Sequence, residues 1–348
     1  MPLPGIGIAP AAGSLYTELA STTRRAFVPR LFVQIYFGSP TLFYMMGNAQ
    51  KAAGGLNQIT IPMQAQSMVQ GQFTGYGGGF NSPQIIPAIQ NGQWNLAYWV
   101  VPVPLPFGET IIQATDREIS LLKARMNDVA AVTKQNFASL LFSNNTANSL
   151  YPNSFYDAFD NGTNVPNYGG INRNAQGNSA FQGQYISTNS TASGNFSFSS
   201  GFTRKNMATL LSYITNNAGG EAPTFVVMAP GDYATLNNDF IGTEQVFVNP
   251  GSTYTMDTAV RSSFPNLVVS GIPIFQDHFC PKGQAYAINT KYTAMYLSED
   301  AAFDFSGFYS LVPLGQIGQQ GVVVVGYDVV SAKSASGASI YAIQNAQF

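Results

Sequence analysis

Asp277, His278 and Cys280 bring a carboxylate, the only imidazole of the chain and its only thiol within one short stretch. Such a set could work as a Cys/His nucleophile, with the imidazole taking the thiol proton. Adjacent side chains point in different directions, however, and no flanking motif supports the pair. Pro281 and Gly283 follow at once, so the expectation is a turn between two strands. Gly75 to Gly79 could cradle a phosphate, but the run lacks the G-x-G-x-x-G spacing and a following Lys-Ser/Thr, and it reads as a flexible loop tip. Glu299, Asp300 and Asp304 could hold a cation. Without the Asp/Asn and Gly spacing of a calcium loop they read as solvated turn acids. Arg24, Arg25 and Arg30, set against Glu18, leave the first 50 residues with a net charge of +2. Nucleic-acid affinity comes from neutralising many phosphates, so this is a weak signal. Clamping to another subunit or plain solvation is expected of these arginines, with contact to DNA as the alternative. No catalytic residue, cofactor or metal ligand is expected: a single Cys and a single His exclude an intrachain disulfide and a Cys/His zinc site.

What holds these residues is a chain of 348 residues, longer than one compact core usually accommodates, so two lobes or an extended shape are expected. Only 9% of it is Asp, Glu, Lys or Arg, against about 25% in an ordinary soluble domain. The net charge is −2, and 18 Tyr, 25 Phe and 2 Trp are present. Surfaces kept apart from neighbours carry mixed charge, whereas large permanent interfaces lose Lys, Glu and Asp and gain aromatics. Two readings stand on composition: an obligate component of an assembly, or a Gly/Asn/Ser-rich β protein with a polar, uncharged surface. The N-terminus lacks the basic start and apolar core of a signal peptide. Apolar runs such as Val322 to Val325 are too short to span a bilayer. Folding in a cytoplasm is expected, and the sequons at Asn144, Asn161, Asn189 and Asn195 are then chance products of composition.

Six segments follow one another. Residues 1–50 are rich in Gly, Pro and Ala, with prolines at 2, 4, 10, 29 and 40 that break any long helix. They read as an extended arm with one short helix near Ser14 to Ala20. Residues 51–108 read as a long β-hairpin-like excursion with strands at Ile59–Met63 and Trp94–Val101. Pro102, Pro104 and Pro106 make the second strand an edge. Residues 109–142 carry the clearest helix, on the order of 50 Å long at about 1.5 Å per residue. Ile112, Ile119, Leu122, Met126, Val129, Phe137, Leu140 and Leu141 form its apolar stripe. Its charges are Glu109, Asp116, Arg117, Glu118, Lys123, Arg125, Asp128 and Lys134. Only Arg125 and Asp128 are spaced to pair within it, so the others are expected to face water or a neighbouring subunit. After a polar insert over 143–202, Thr203 caps a helix to Asn217. Strands at Thr224–Ala229, Leu267–Val269, Ile272–Phe275, Ala285–Ile288 and Ala294–Leu297 then alternate with a short helix at Gly231–Asn237, giving an α+β lobe. Strands at Gly321–Tyr327 and Ile340–Ile343 are expected to return to the long helix.

In this order, several stretches resemble the major capsid proteins of tailed double-stranded DNA bacteriophages, with the fold known as HK97-like. Trp94-Asn95-Leu96-Ala97-Tyr98 leading into the Glu109 helix resembles the E-loop strand that enters the spine helix. Tyr168-Gly169-Gly170-Ile171-Asn172-Arg173, followed by Phe181, resembles a P-domain segment. Pro223 to Tyr233 resembles a strand–turn–helix of the A-domain, and Gly271 to Asp277 with Pro281 to Gly283 and Tyr286 to Asn289 its closing hairpin.

The resemblance implies an α+β fold with an N-terminal arm (1–50), an E-loop (51–108), a P-domain (109–202) with its spine helix, an A-domain (203–310) and returning P-domain strands (311–348). It implies a non-enzymatic coat protein forming hexamers and pentamers of an icosahedral shell, located in the virion and assembled in the host cytoplasm. Expected partners are further copies, a portal, packaged double-stranded DNA held non-specifically, and a decoration protein in some relatives; no membrane is involved. Many members begin with a long charged scaffolding segment. This sequence starts directly at the arm, so a separate scaffolding protein is implied. Intersubunit contacts are expected at Arg24, Arg25, Arg30, Trp94, Trp99, Asp116, Arg117, Glu118, Lys123 and Arg125, and Arg24, Arg25 and Arg30 are the candidates to face DNA. The family sometimes cross-links through a Lys–Asn isopeptide bond. Lys51 is the only lysine among the first 122 residues, but nothing identifies its Asn partner or a catalytic Glu, so that chemistry is not carried over. An encapsulin-like compartment shell of the same fold is the alternative. A tail or fibre protein is disfavoured by the long helix.

Overall fold

The computed structural model describes residues 38–52, 57–64, 73, 76, 78, 88–106, 121–145, 150–187, 202–241, 267–310 and 318–341. The expected arm helix, Arg24, Arg25, Arg30, the start of the long helix with Asp116, Arg117 and Glu118, and most of the Gly75 to Gly79 run lie outside these residues. In chain order the helices are α1 (Pro40–Gly47), α2 (Leu121–Leu140), α3 (Phe155–Phe159), α4 (Arg204–Asn217) and α5 (Pro230–Ile241). The strands are β1 (Gln50–Ala52), β2 (Gln58–Gln64), β3 (Ile89–Asn95), β4 (Ala97–Pro106), β5 (Asn167–Tyr168), β6 (Ile171–Asn172) and β7 (Gln184–Ser187). After them come β8 (Phe225–Met228), β9 (Leu267–Val269), β10 (Ile272–Gln276), β11 (Gln284–Ile288), β12 (Thr293–Phe305), β13 (Tyr309–Ser310), β14 (Gly318–Ser331) and β15 (Ala338–Tyr341). They divide into two compact units. The smaller takes, among the described residues, 99–106, 121–135, 301–310 and 318–325, and the larger takes the rest.

The larger unit is organised by a mixed six-stranded sheet in the order β7-β15-β11-β8-β10-β9. Its middle strand β8, Phe-Val-Val-Met, is buried on both faces, as its continuous apolar run requires of a central strand. Helix α4 covers one face. Thr203 caps it by accepting from the Asn206 N–H, and Met207, Leu210, Leu211 and Ile214 recur on one side and are each at most 1% exposed. Gly219 and Gly220 take positive φ just beyond its end, where a Cβ would be strained. Phe202, Tyr233, Leu236, Ile274 and Ile340 complete the core.

Three expectations change here. Strand β15 pairs with β11 and β7 in this sheet, so it does not return to the long helix: Ile340 lies opposite Ala285 and Ile186, and its apolar face completes the core. Residues 40–47, expected to lie in an extended arm, form the short helix α1, and Pro40 starts it. It follows the N-cap Ser39 as the first helical residue of α1, where its missing N–H is not needed. The strand expected over Trp94–Val101 is two strands. β3 pairs with β2 and β4 with β14, and the chain changes sheets at Leu96, whose N–H is taken by Asn57 O.

In the smaller unit α2 lies against β4: Trp99 Nε1 donates to Thr133 Oγ1 at 3.2 Å, and Arg125 Nη1 donates to Pro104 O at 3.0 Å. The described helix stops at Leu140, short of the expected 142. Leu141 and Phe142 form a buried turn, and Asn145 Nδ2 takes the orphaned carbonyl of Leu140.

Candidate functional site

Asp277, His278 and Cys280 sit in the turn joining β10 to β11, and the turn is structural. Asp277 is 1% exposed. It accepts from Ser39 Oγ at 2.5 Å and from the Thr41 N–H at 3.3 Å, which fastens α1 to the sheet. Cys280 is buried, donates to Gln284 O, and has its pKa pushed well up by burial and by nearby Asp277 and Asp232. A thiol held protonated in this way is a poor nucleophile. Glu299, Asp300 and Asp304 are exposed along β12. Among the described residues no group of three or more His, Cys, Asp or Glu is placed to hold a metal, and no described helix is long and apolar enough to cross a membrane.

Trp94, expected at an intersubunit contact, is only 2% exposed, and its own chain covers it. Its ring packs edge-on to Tyr168 at 5.4 Å and lies on the backbone of Gly169. There a Cβ would come 2.6 Å from the indole, and φ is +59°. The Gln93 N–H bonds Gly169 O at 2.8 Å. An isolated two-stranded hairpin is marginal in water; this tryptophan anchor fixes the root of the β2–β3 hairpin to the β5–β6 turn. Trp99 is half-buried and engaged by Thr133, and Arg125 by Pro104. Lys123 falls on α2.

The exposed β surfaces follow from proline positions. Pro102, Pro104 and Pro106 alternate along β4, so their nitrogens share one edge. Because a proline cannot donate to a ladder, that edge faces away from β14. The carbonyl of Pro104 lies on the same edge and is the one Arg125 takes. In the hairpin, Pro62 lies opposite Asn91 and must be a pair whose N–H sites point outward. Gln93, two residues along, directs its outward N–H to Gly169 accordingly. The edge of β4 turned from β14 and the outer edge of β2 thus each carry proline, and neither pairs with another strand among the described residues. What remains open on β4 is a face, with Val100 54% exposed and Pro102 and Pro104 exposed beside it.

Sequence reasoning found the Tyr168 to Arg173 segment by resemblance but missed what it does. Arg173 is 1% exposed. It donates through Nη1 to Asp157 O at 2.9 Å, and through Nη2 to Ala158 O at 2.8 Å and Ser334 Oγ at 3.1 Å. Its guanidinium lies 4.4 Å from the Tyr168 ring centroid. Two buried carboxylates, Asp157 and Asp160, act on it, and a third, Asp328, lies near Tyr168 and Asp157. Asp160 accepts the N–H groups of Gly162, Asn164 and Val165. Asp328, 0% exposed, accepts from Asn153 N at 2.7 Å and Nδ2 at 2.8 Å. Asp157 closes a capping box with Ser154 at the start of α3. Burial pushes the Asp328 carboxyl up to about 7 against the opposing Asn153 bonds. It pushes Asp157 up to about 6 against the opposing Ser154 bonds and the charge of Arg173. Beside this hub a cavity of about 260 Å³ opens at the hairpin root, lined by Trp94, Asn145, Asn153, Asp157 and Asn167 among others. Nothing in residue spacing marks the hub, because its members are spread from residue 153 to 334.

No family model and no curated protein matches the sequence. Solved structures do match, over nearly the whole chain. The capsid asymmetric unit of cyanophage A-1(L) has a TM-score of 0.67 at 13% identity, covering 91% of this chain and 96% of that one. The capsid of the native GTA particle has a TM-score of 0.59 at 9% identity, covering 98% and 100%. The encapsulin complex from Synechococcus elongatus has a TM-score of 0.52 at 10% identity, covering 92% and 94%. The chain shares the α+β fold of these capsid and encapsulin subunits.

Proposed function

We propose that the chain is the major capsid protein of a tailed phage, with an HK97-like fold, which self-assembles into hexamers and pentamers of an icosahedral head around double-stranded DNA. The observation that carries this reading is the end-to-end match to capsid subunits, with coverage of 91% and 96% against the cyanophage capsid. The scarcity of charge and the engagement of the Asp277–Cys280 turn in purely structural bonds support a structural, non-enzymatic role. In this reading the β2–β3 hairpin is the E-loop, α2 the spine helix and the six-stranded sheet with α4 and α5 the A-domain. Trp99, Asp116, Arg117, Glu118, Lys123 and Arg125 meet neighbouring subunits, and Arg24, Arg25 and Arg30 face neighbours or the genome. A separate scaffolding protein, a portal and, where present, a decoration protein are the partners, and the product resides in the virion.

Expression of the full chain with electron microscopy of the product tests this. Closed shells are the expected result, with or without a scaffolding protein, and monomers or fibres alone would overturn it. Arg117→Glu should reduce shell yield more than it reduces monomer stability, and unchanged yield removes the ion-pair role. The encapsulin match favours a second reading, a compartment shell with protein cargo. Neighbouring portal and terminase genes decide for the phage; a neighbouring cargo-enzyme gene decides for the compartment.

A further inference from the structure

Asn161 is followed by Gly162, and the same pair recurs at Asn91-Gly92. In such a pair the glycine nitrogen stands next to the asparagine carboxamide, with no Cβ to hold the two apart. The loop leaving α3 gives the first pair more than proximity. Asp160, 1% exposed, turns its carboxylate back onto the loop, and its Oδ2 accepts the Gly162 N–H at 2.8 Å. A carboxylate at that distance from a nitrogen nucleophile stands where a general base must stand. On the other side, Asn161 Oδ1 accepts the Thr163 N–H at 3.0 Å, so the carbonyl open to attack is already polarised by a donor. No hydrogen bond holds Asn161 Nδ2, the leaving group, among the described residues. Asn161 is half-buried and Thr163 and Asn164 are exposed, so water reaches the loop. The second pair lacks this arrangement. Asn91 lies opposite Pro62, which makes Gly92 and Ile61 the hydrogen-bonded pair, and the Gly92 N–H goes to a neutral carbonyl.

We propose that Asn161-Gly162 is a self-modification site, at which the Asp160 carboxylate and the Thr163 N–H promote conversion of Asn161 through a cyclic imide to aspartate and isoaspartate in the folded chain. Gly162 N bonds to Asn161 Cγ while its proton passes to Asp160 Oδ2 and on to the departing nitrogen. The Cγ–Nδ2 bond breaks, and ammonia leaves. Water then opens the imide at either carbonyl, and the new carboxyl group loses its proton to solvent. No oxidant, reductant or second reactant besides water takes part. The isoaspartyl product inserts the Asn161 Cβ into the main chain. That insertion shifts the N–H groups of Gly162, Asn164 and Val165, the three donors that Asp160 Oδ2 accepts. Each chain reacts once, so the site records the age of the molecule and turns nothing over.

The test incubates the full-length chain at neutral pH, folded and in parallel unfolded in urea. Peptide mass spectrometry follows both pairs, with fragmentation that separates aspartyl from isoaspartyl products. Asn91-Gly92 is the reference within the same molecule. In urea the two pairs should convert at comparable rates, since only local sequence acts there. In the folded chain Asn161 should convert about tenfold faster than Asn91 and yield both products. That figure is set below the roughly 10²–10⁴-fold of a matched base, because a carboxylate is a weak base for an amide proton. Asp160→Asn keeps an acceptor of the same shape but removes the base, and should slow Asn161 about tenfold while leaving Asn91 unchanged. Circular dichroism checks that this variant is folded; were it unfolded, the comparison of folded and urea-treated parent decides alone. Conversion of Asn161 no faster than that of Asn91 in the folded parent overturns the proposal. So does a parent-like rate in folded Asp160→Asn, and so does aspartate formed without isoaspartate, which is direct hydrolysis with no imide.

Discussion

The α4–β8 core and the Arg173 hub belong to the same compact unit yet hold together by different physics. Around α4 the stabilisation is area: Met207, Leu210, Leu211 and Ile214 are buried against β8, β10 and β15, and no single atom is irreplaceable. Around Arg173 it is direction. One guanidinium reaches two carbonyls and a hydroxyl in fixed geometry, and the carboxylates of Asp157, Asp160 and Asp328 each accept from specific N–H donors. A core of the first kind tolerates shape-conserving change, whereas a network of the second kind fails when one member leaves, because its partners stay buried and unmatched.

The sharpest way to break the contrast is at Arg173. Arg173→Ala should lose about 4 kcal/mol in urea unfolding followed by circular dichroism, as a buried polar cluster stripped of its cation does. Arg173→Lys should recover only a minor part, since an ammonium cannot reproduce the fork. In the apolar core, Leu210→Ala should lose about 3 kcal/mol and Leu210→Met about 1 kcal/mol in the same assay. Equal losses for the two conservative changes would dissolve the distinction. Gly169→Ala puts a methyl group into the Trp94 ring at a positive φ, and should lose about 2 kcal/mol with a shift in tryptophan emission as the indole moves. An unchanged emission spectrum would separate the hairpin root from the β5–β6 turn.

The titration of Asp328 gives a smaller and different signature. Its pKa is raised on folding from an ordinary 3.8 to about 7. The folded state therefore binds the proton more tightly, and the associated stability is complete at low pH. It is lost as pH climbs from about 4 through about 7. Asp328→Asn should flatten this decline by about 1–2 kcal/mol between pH 5 and 8, and an identical pH slope in parent and variant would remove Asp328 as its source. The smallest expected effect lies at the α1 cap. Ser39→Ala should cost about 1 kcal/mol and weaken the tie to Asp277, read as faster hydrogen exchange in α1.

Much of the lobe was legible because local rules decide it. The Met207–Ile214 stripe, the Thr203 cap and the apolar run of β8 each specify their element within a few residues. The short helix α1 was missed for a local reason too, as a proline that stops a helix from within also starts one from its first turn. Trp94 and β15 could not be read locally. The fate of Trp94 depends on Gly169 and Tyr168, more than seventy positions away in sequence, and that of β15 on which strand edge was vacant. The Arg173 hub was invisible for the same reason, since buried polar partners leave no periodic trace. The low overall charge pointed toward association but not to the surfaces that carry it.

The proline-bearing edges of β4 and β2 have a consequence for how such a chain survives its own production. Wherever many copies of a chain are made together, strand-to-strand growth is a route that runs to fibres. Edges with Pro62, Pro102, Pro104 and Pro106 offer no continuous row of donors to template that growth. Crowded newborn chains are then less able to join edge to edge along β4 and β2, and contact is steered toward their faces, where shape selects the partner.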